Sequence, residues 1–428
     1  LKNSGLSEDE LKQVTVVMVE EGRHALALLS AARFDHPAKK LVMIGVTGTK
    51  GKTTTTHMIR AILLAAGKKV GMIGTTGTVI GDVVTPTLNT TPESYELHQA
   101  FAQMVEAGCE YAVMEVSSQG IKMHRTDGLY FNYAIFTNIS PDHIGPGEHA
   151  DFEEYLYYKT RLLNMCGIGL VNKDDEHAPQ IIKAANCELY TYSEESKEAD
   201  FVASDIRYVS QPDFVGTEFH ISGKYDMEVR LGIPGLFNVV NALAAVSVCS
   251  FLGLDQARIS HALENIRVNG RMEIVYTSER CTVLVDYAHN AVSMESLLST
   301  LRDYKPKRLV CVFGCGGNRS KDRRYSMGEI GGKMADLSII TADNSRYEKV
   351  EDIIADIRGS IEKTGGKFIE IPDRREAIRY SILHAQPGDM VAVIGKGHED
   401  YQEINGVRHH FLDREVIEET VKELGEKA

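Results

Sequence analysis

Short, uninterrupted apolar runs recur along most of the chain, and each is followed by a glycine-containing turn and a helical stretch. Leu41–Val46, Tyr111–Val116 and Tyr133–Thr137 are such runs. Continuous apolar runs, unlike strictly alternating ones, are typical of strands that are covered on both faces. Strands of this kind form parallel sheets with crossover helices, so the sequence predicts an α/β fold with a mostly parallel sheet.

The same rhythm returns in the second half of the chain, and this predicts a second α/β unit. Between residues 190 and 230 the texture differs, because Phe201–Ile206 and Thr217–Ile221 alternate as antiparallel ribbons do. After Gly270-Arg271 four further strands are expected, over Thr282–Asp286, Arg308–Phe313, Leu337–Thr341 and Met390–Ile394.

These patterns predict a central domain over residues 41–270 and a C-terminal domain over 271–428. The chain has 428 residues, enough for two to four domains. Residues 1–40 are expected to hold one strand (Val14–Val19) and one helix (Arg23–Phe34), which is too little for a domain of its own.

The amino-acid composition argues against some classes of binding partner. The net charge of −13 argues against non-specific binding to nucleic acid or to an anionic membrane, since both need surplus cations. The segment from Leu231 to Leu254 has no charged residue, but its Pro, Asn and Ser residues favour a buried helix over a membrane span. Seven scattered cysteines fit a reducing cytoplasm, and Cys311 and Cys315 are expected to be buried thiols rather than a metal site.

The sharpest local pattern is the segment Gly45-Val-Thr-Gly-Thr-Lys-Gly-Lys-Thr-Thr54, which follows a predicted strand and opens a predicted helix. Backbone amides of such a turn bind polyphosphate, a lysine neutralises it, and a threonine hydroxyl reaches Mg²⁺. The sequence therefore predicts an ATP or GTP site, which leaves ATPase, kinase, GTPase and ligase activities open. The expected phosphate-binding residues are Gly48, Thr49, Lys50, Gly51, Lys52, Thr53 and Thr54.

Three further segments, in this order along the chain, complete a resemblance. They are Met114-Glu-Val-Ser-Ser-Gln-Gly120, Thr137-Asn-Ile-Ser-Pro-Asp-His143 and Tyr155-Leu-Tyr-Tyr-Lys159. Together with the phosphate loop, the chain resembles the Mur ligases, and within them the muramoyl-tripeptide synthetases. The resemblance runs from about Val16 to the C-terminus. It implies a P-loop-type central ATPase domain, a Rossmann-like C-terminal domain and an N-terminal UDP-binding domain that is largely missing here.

The resemblance implies a reaction and its catalytic residues. A carboxylate is activated by ATP as an acyl phosphate, an amine attacks it, and ADP and phosphate leave. Mg²⁺ and cations are needed to stabilise the charge on the transferring phosphoryl group. The expected catalytic residues are Lys52, Glu115, His143 and Lys159. The expected metal ligands are Thr53, Glu115, His143 and Lys159, the last as a carbamate.

The resemblance also assigns the rest of the ATP site. Asn238 and Asn241 lie three residues apart, so both amides are expected on one helical face, where they recognise adenine. Asn138 and Arg271 are further expected contacts, and Asp286 and His289 are expected near the ribose.

Two substrate pockets follow from the same resemblance. The incoming amino acid is expected to be meso-diaminopimelate, because Arg346 would bind its distal carboxylate and Glu399 its distal ammonium. Ser345 stands where relatives have a proline. The expected amino-acid-binding residues are Arg319, Asp343, Asn344, Arg346, Gly395 and Glu399, and the expected acceptor-binding residues are Thr90, Thr91, Glu93, Ser117 and Arg125.

The expected acceptor is a UDP-MurNAc-dipeptide, but two alternatives stay open at this point. Met123 replaces a usual glutamine, and Gly145-Pro-Gly-Glu148 replaces a familiar acceptor-side segment. The chain could be a divergent ligase for another carboxylate, or a nucleotide-dependent binding protein with a degenerate site. In every case ATP and Mg²⁺ are the expected cofactors, small molecules the partners, and a cytoplasmic monomer without a membrane span the expected state.

Overall fold

The computed structural model describes residues 7–425 except 14 and 16, and it contains two large sheets. The first sheet has the order β11-β10-β9-β8-β7-β6-β1-β5-β2-β3-β4. Its strands are β1 (Val42–Thr47), β2 (Val70–Gly74), β3 (Gly77–Ile80), β4 (Val83–Thr85), β5 (Tyr111–Glu115), β6 (Phe131–Phe136), β7 (Cys166–Asn172), β8 (Glu188–Ser193), β9 (Phe201–Gln211), β10 (Phe214–Gly223) and β11 (Met227–Leu231).

Pairing in this sheet is parallel from β2 through to β9, and antiparallel at both edges. The central strand β1 lies between β5 and β6, so the carboxyl ends of all three strands meet at one edge. The apolar runs of the sequence occupy these central strands, whose side chains are buried on both faces. The predicted antiparallel ribbons are confirmed as β9 and β10.

The second sheet has the order β12-β13-β17-β14-β15-β16, and its pairing is parallel except between β12 and β13. A separate hairpin, β18–β19, follows it. The bounds are β12 (Glu273–Thr277), β13 (Cys281–Asp286), β14 (Arg308–Phe313), β15 (Leu337–Ile340), β16 (Phe368–Glu370), β17 (Asp389–Ile394), β18 (Tyr401–Ile404) and β19 (Val407–His410).

Helices connect the parallel strands and cover the sheets. They are α1 (Glu8–Leu11), α2 (Gly22–Arg33), α3 (Lys52–Ala65), α4 (Ser94–Glu106), α5 (Ser118–Lys122), α6 (Phe152–Thr160), α7 (Ala178–Ala184), α8 (Leu236–Phe251), α9 (Gln256–Glu264), α10 (Ala291–Asp303), α11 (Lys321–Met334), α12 (Val350–Thr364), α13 (Arg374–Leu383) and α14 (Asp413–Glu423), with 3₁₀ turns at Pro37–Lys40 and Arg161–Asn164. The mostly parallel α/β architecture predicted from the sequence is therefore confirmed.

The charge-free segment forms α8, a largely buried helix, as predicted. Within the described residues, no helix combines the length and apolar character needed to cross a membrane. Cys311 and Cys315 are buried thiols, also as predicted.

The predicted strand at Val14–Val19 is not confirmed. Val14 and Val16 lie outside the described residues, and Val17–Val19 form no strand. Val17 and Met18 are strongly exposed. A β-branched run needs a neighbouring strand to complete its hydrogen bonds, and the nearby described element is a helix, α2.

Candidate active site

The phosphate loop lies at the carboxyl end of β1, directly before α3. Gly48 and Gly51 have φ angles of +141° and +85°, which glycine adopts without steric cost. A Cβ on Gly48 would overlap the Thr137 hydroxyl, and one on Gly51 would overlap the Asn241 amide. The loop is therefore held close to the end of β6 and to α8, and backbone amides at the start of α3 are available for anionic oxygens.

Two lysines share a carbonyl of this loop. Lys52 Nζ donates to Gly48 O at 2.8 Å and to Thr49 O at 3.0 Å, and Lys159 Nζ donates to Gly48 O at 2.7 Å. Burial lowers the pKa of Lys52. Burial, together with the positive charge of Lys52, holds the pKa of Lys159 well below its ordinary value. Lys159 thus lies under the loop in α6, and it is not a surface lysine.

Glu115 ends β5 beside the first turn of α3, and its carboxylate is 1% exposed. Thr53 Oγ1 lies 3.0 Å from both carboxylate oxygens, and the Thr75 amide donates to Oε1 at 2.9 Å. Carboxylate and hydroxyl oxygens are the ligands that Mg²⁺ prefers. The oxygen set of Thr53 and Glu115 therefore fits a magnesium ion at the end of the phosphate loop.

The other two predicted metal ligands lie elsewhere. Lys159 contacts the loop from below, with Nζ 4.6 Å from the ring centre of Tyr155. His143 sits on an exposed turn, where its Nδ1 is 3.1 Å from Glu148 Oε1. Neither residue lines the main cavity. Their metal-binding roles stay predictions.

A cavity of about 620 Å³ opens above the phosphate loop and is lined from both sheets. Segments from the first sheet contribute the loop and α8, and segments from the second contribute the ends of β12 and β13. Gly48 is not among the lining residues. The cavity lining includes the predicted residues Thr49, Lys50, Gly51, Lys52, Thr53, Thr54, Thr90, Glu115, Asn138, Asn238, Asn241, Arg271, Asp286 and His289.

The amide pair of α8 is on one buried face, as the spacing predicts. Asn241 Nδ2 donates to Asn238 Oδ1 at 3.2 Å, and Asn238 Nδ2 donates to Pro234 O at 2.7 Å. On the opposite wall, the amides of Met272 and Ala288 each donate to Asp286 at 2.8 Å. Burial raises the pKa of this carboxyl. The lining thus offers amides on one side and a buried carboxyl on the other.

The predicted acceptor-binding residues form a contact chain that leads to Glu115. Thr91 Oγ1 donates to Glu115 O at 3.0 Å and accepts from the Ser117 amide at 3.0 Å. Arg125 donates to Thr91 O at 3.1 Å, and its Nη2 lies 2.7 Å from Glu93 Oε1. Thr90 Oγ1 lies 3.1 Å from the Thr75 hydroxyl, which itself contacts Glu115.

The predicted amino-acid pocket gathers at the carboxyl ends of β15 and β17. Asn344 Nδ2 donates to Glu399 Oε2 at 2.9 Å. Arg346 Nη1 donates to Gly317 O at 2.7 Å, and its Nε lies 3.5 Å from Glu403 Oε2.

Three more predicted residues border this pocket. A Cβ on Gly316 would lie 3.4 Å from Arg346 Nη1 and 3.8 Å from Arg319 Cγ, so both arginines flank one glycine. A Cβ on Gly395 would lie 2.6 Å from Asp343 Oδ2. The structure therefore brings the predicted amino-acid-binding residues to one end of the second sheet.

Several residues that hold these pockets together carried no prediction. Lys396 is fully buried, and its Nζ donates to Asn344 Oδ1 and Glu399 Oε2, both at 3.3 Å. Tyr287 lines the main cavity and donates to Glu399 Oε1 at 3.3 Å, which links the two pockets. Lys396 lies within the segment Gly395-Lys-Gly-His-Glu399, and Tyr287 lies between the predicted ribose contacts Asp286 and His289, so both segments offered a signal.

Two further side chains had no predicted role: Tyr155 contacts the phosphate loop, and Glu194 lines the cavity. The Tyr155 hydroxyl lies 3.0 Å from Thr49 Oγ1, and burial raises the pKa of Tyr155 to about 12. Glu194 lines the cavity near the end of β8, and burial beside Asp174 raises its pKa to about 7.

Comparison with known proteins decides the family. The Mur ligase middle domain matches residues 46–249, and the domain described as Mur ligase, glutamate ligase domain matches 270–397. A UDP-N-acetylmuramoyl-L-alanyl-D-glutamate–2,6-diaminopimelate ligase of Caldanaerobacter subterraneus is 40% identical over 420 residues, which are 97% of this chain and 85% of that protein. The chain belongs to the Mur ligase family. Mur ligases are ATP-dependent enzymes that form carbon–nitrogen bonds.

Other relatives agree with this assignment. A ligase of the same name from Geobacillus thermodenitrificans is 39% identical over 421 residues, covering 96% of this chain and 85% of that one. The solved structure of another ligase of that name superposes with a TM-score of 0.73 at 32% identity, covering 94% of this chain and 84% of its own. A folylpolyglutamate synthase of Mycobacterium tuberculosis, at 18% identity and a TM-score of 0.66 over 87% of this chain and 92% of its own, shares the fold.

Proposed function

We propose that this Mur ligase joins meso-diaminopimelate to the carboxylate of UDP-MurNAc-L-Ala-D-Glu, at the expense of ATP, in peptidoglycan synthesis. The observation that carries the proposal is the continuous path of contacts between three predicted pockets. Thr91 connects the acceptor residues to Glu115 at the phosphate loop, and Tyr287 connects the ATP cavity to Glu399. Relatives that are about 40% identical over nearly the whole chain carry the name of this activity.

The phosphate loop would hold the triphosphate and stabilise its developing charge. Lys52 now donates to two neutral carbonyls, which are weaker partners than phosphoryl oxygens. Thr53 and Glu115 would hold Mg²⁺, which supplies Lewis-acid stabilisation of the transferring phosphoryl group. The acceptor carboxylate would approach from the side of Thr90, Ser117 and Arg125, and would receive the γ-phosphoryl group to give an acyl phosphate.

We propose that Lys159 is carbamylated in the active enzyme. Its Nζ is buried and shares the Gly48 carbonyl with the Lys52 ammonium. The nitrogen of a neutral amine bonds to the carbon of CO₂ with loss of one proton, and the resulting anion would be stabilised by the adjacent Lys52 charge. A ¹³C NMR spectrum recorded with labelled bicarbonate checks this. A carbamate signal that persists in Lys159→Ala would contradict the assignment.

The amino group of diaminopimelate would attack the acyl phosphate, while its far end is held near Glu399 and Arg346. Arg346 engages Gly317 and Glu403 through Nη1 and Nε, and its Nη2 carries two further donors. A guanidinium suits a carboxylate, which lysine lacks at the corresponding position. The seven free cysteines fit a reducing compartment, and we propose the cytoplasm.

The specificity of ligation tests the proposal. We expect the wild type to prefer meso-diaminopimelate over L-lysine by about 100-fold or more in kcat/KM, since a pocket built for a charged group rejects substrates that lack it. Arg346→Ala should lose most of this preference. Arg379→Ala is the control, because Arg379 on α13 forms an ion pair with Glu423 on α14 and is not a predicted pocket residue.

The assay measures ADP release in the presence of UDP-MurNAc-L-Ala-D-Glu and of each amino acid in turn. A wild type that prefers lysine would refute the diaminopimelate assignment. No acceptor-dependent ADP release with either amino acid would refute the proposed reaction as a whole. An unchanged preference in Arg346→Ala would show that Arg346 does not read the distal carboxylate.

A further inference from the structure

Two histidines and an aspartate from two segments converge outside the cavity above the phosphate loop. His24 lies in the first turn of α2, and His124 and Asp127 follow α5. The Nδ1 atoms of His24 and His124 lie 2.6 and 2.7 Å from the same oxygen, Oδ2 of Asp127. The potential ligand atoms of these three side chains all lie within 4.8 Å of one another. Within the described residues, they are the group of His, Cys, Asp or Glu side chains that is close enough to hold one metal ion.

We propose that His24, His124 and Asp127 form a binding site for a divalent transition-metal ion, with Zn²⁺ as the matching ion. Two imidazole nitrogens and one carboxylate oxygen are a common zinc donor set, whereas Mg²⁺ and Ca²⁺ prefer oxygen alone. The side chains are 50%, 37% and 21% exposed, respectively. Water can therefore reach the ion and supply a fourth ligand.

The geometry requires only a small adjustment to accept the ion. Tetrahedral zinc with bonds of about 2.0–2.2 Å places neighbouring ligand atoms about 3.3 Å apart. The two nitrogen–oxygen distances would lengthen by roughly 0.6 Å. The two Nδ1 atoms, which lie within 4.8 Å of each other, would have to reach the same spacing. The backbone around the loop ligands is already fixed, because the amides of His124 and Arg125 donate to Ile121 O and Gly120 O at 3.0 and 2.8 Å.

A bound ion would connect α2 to the segment after α5, which carries the predicted acceptor residue Arg125. Arg23, beside His24, donates to Glu93 Oε2 at 3.1 Å, and Arg125, beside His124, lies 2.7 Å from Glu93 Oε1. The same two elements are thus joined twice, once through Glu93 and once through Asp127. The proposed site is separate from the magnesium ligands and does not depend on the ligase reaction.

Zinc affinity, measured by competition with a chromogenic chelator, tests the site. The protein carries no histidine tag, is stripped of metal with EDTA, and is assayed in excess Mg²⁺ so that oxygen-donor sites are filled. We expect one zinc ion to bind the wild type. His24→Gln and His124→Gln should each weaken zinc binding by about 10- to 100-fold or more, since even changes to residues that only orient the metal ligands cost that much. Glutamine can still donate a hydrogen bond to Asp127, so the fold is expected to persist.

His220→Gln is the matched control. His220 also lies between two carboxylates, with Nδ1 3.0 Å from Glu228 and Nε2 3.5 Å from Asp226, but no second histidine of the described residues joins it in a three-residue metal-binding group. The His220→Gln variant should bind zinc with the same affinity as the wild type. Cobalt substitution should give the visible absorption of a tetrahedral site in the wild type and in His220→Gln only. Equal zinc affinity in the wild type and His124→Gln, or an equal loss in His220→Gln, would overturn the proposal.

Discussion

His98 in α4 is a buried imidazole whose protonation opposes folding. It is 1% exposed, and among the described residues neither ring nitrogen has a hydrogen-bond partner. Burial lowers the pKa of His98 to about 4. The unfolded chain, with a pKa near 6.5, therefore binds a proton over the range between pH 6.5 and 4 in which the folded chain does not.

This difference predicts a loss of stability on acidification. As the pH falls from 6.5 to 4, the free energy of unfolding of the wild type should drop by up to about 3 kcal/mol relative to His98→Phe. Urea unfolding of both proteins across this range measures the difference. His261→Phe, at an exposed position of α9, is the control and should follow the wild type. A wild-type curve parallel to that of His98→Phe would contradict the prediction.

At the level of single residues, the sequence predicted the groups whose neighbours lie close along the chain or at strand ends. Lys52 and Thr53 are placed by the loop itself, and Glu115 by the end of its strand. The resemblance supplied the more distant positions, such as Arg346. Lys396 and Tyr287 were missed because their partners, Asn344 and Glu399, lie 52 and 112 residues away. Such pairs arise from strand order, which periodicity does not determine.

At the level of elements, the backbone of the phosphate loop is constrained by its surroundings. Gly51 precedes α3 with φ +85°, and a Cβ there would overlap the Asn241 amide on α8. Gly81, in the turn before β4, also has positive φ (+59°), but the described structure leaves its Cβ position open. Comparing alanine substitutions at Gly51 and Gly81 therefore separates the effect of backbone strain from that of steric overlap.

We expect Gly81→Ala to lower the free energy of unfolding by about 1–2 kcal/mol, the cost of a left-handed alanine, without affecting nucleotide binding. Gly51→Ala carries the same strain and must also displace Asn241, so it should weaken binding of a non-hydrolysable ATP analogue by about tenfold or more. Calorimetric titration of both variants checks this. If the two variants bound the ATP analogue with equal affinity, the overlap between residue 51 and Asn241 would have no effect on nucleotide binding.

The helices and strands agree closely with the predictions from the sequence where strands are buried on both faces. Arg308–Phe313 is a strand over the predicted range, and the helix predicted at Arg23–Phe34 is α2, shifted by one residue. The prediction failed at Val17–Val19, where β-branched residues lie beside a helix. The strands β2, β3 and β4 carried no prediction, because they have only five, four and three residues, respectively. Strand propensity acts only where a neighbouring strand completes the ladder.

At the level of the whole molecule, Tyr304 joins the two sheets. It follows α10, which covers the second sheet, and its ring is buried. Its hydroxyl lies 2.8 Å from Thr217 Oγ1 on β10 and accepts from the Gly235 amide at 3.0 Å. Thr217 lies in a strand of the first sheet, and Gly235 immediately precedes α8, the helix that carries Asn238.

Removing this hydroxyl should weaken the contact between the sheets. Tyr304→Phe leaves two buried polar groups without a partner, which predicts a loss of about 1–3 kcal/mol in the free energy of unfolding. Tyr208→Phe is the matched control, because its ring packs 5.2 Å from that of Tyr304 but is more exposed.

The double variant Tyr304→Phe/Thr217→Val identifies the source of the loss. Valine removes the orphaned hydroxyl of Thr217, so the double variant should be more stable than the sum of the single effects predicts, by about 0.5–3 kcal/mol of coupling. Urea unfolding of the four proteins in the cycle measures this. If Tyr304→Phe costs no more than Tyr208→Phe, or if the two changes simply add, the hydroxyl does not link the sheets, and the apolar contacts between them must hold the cavity together instead.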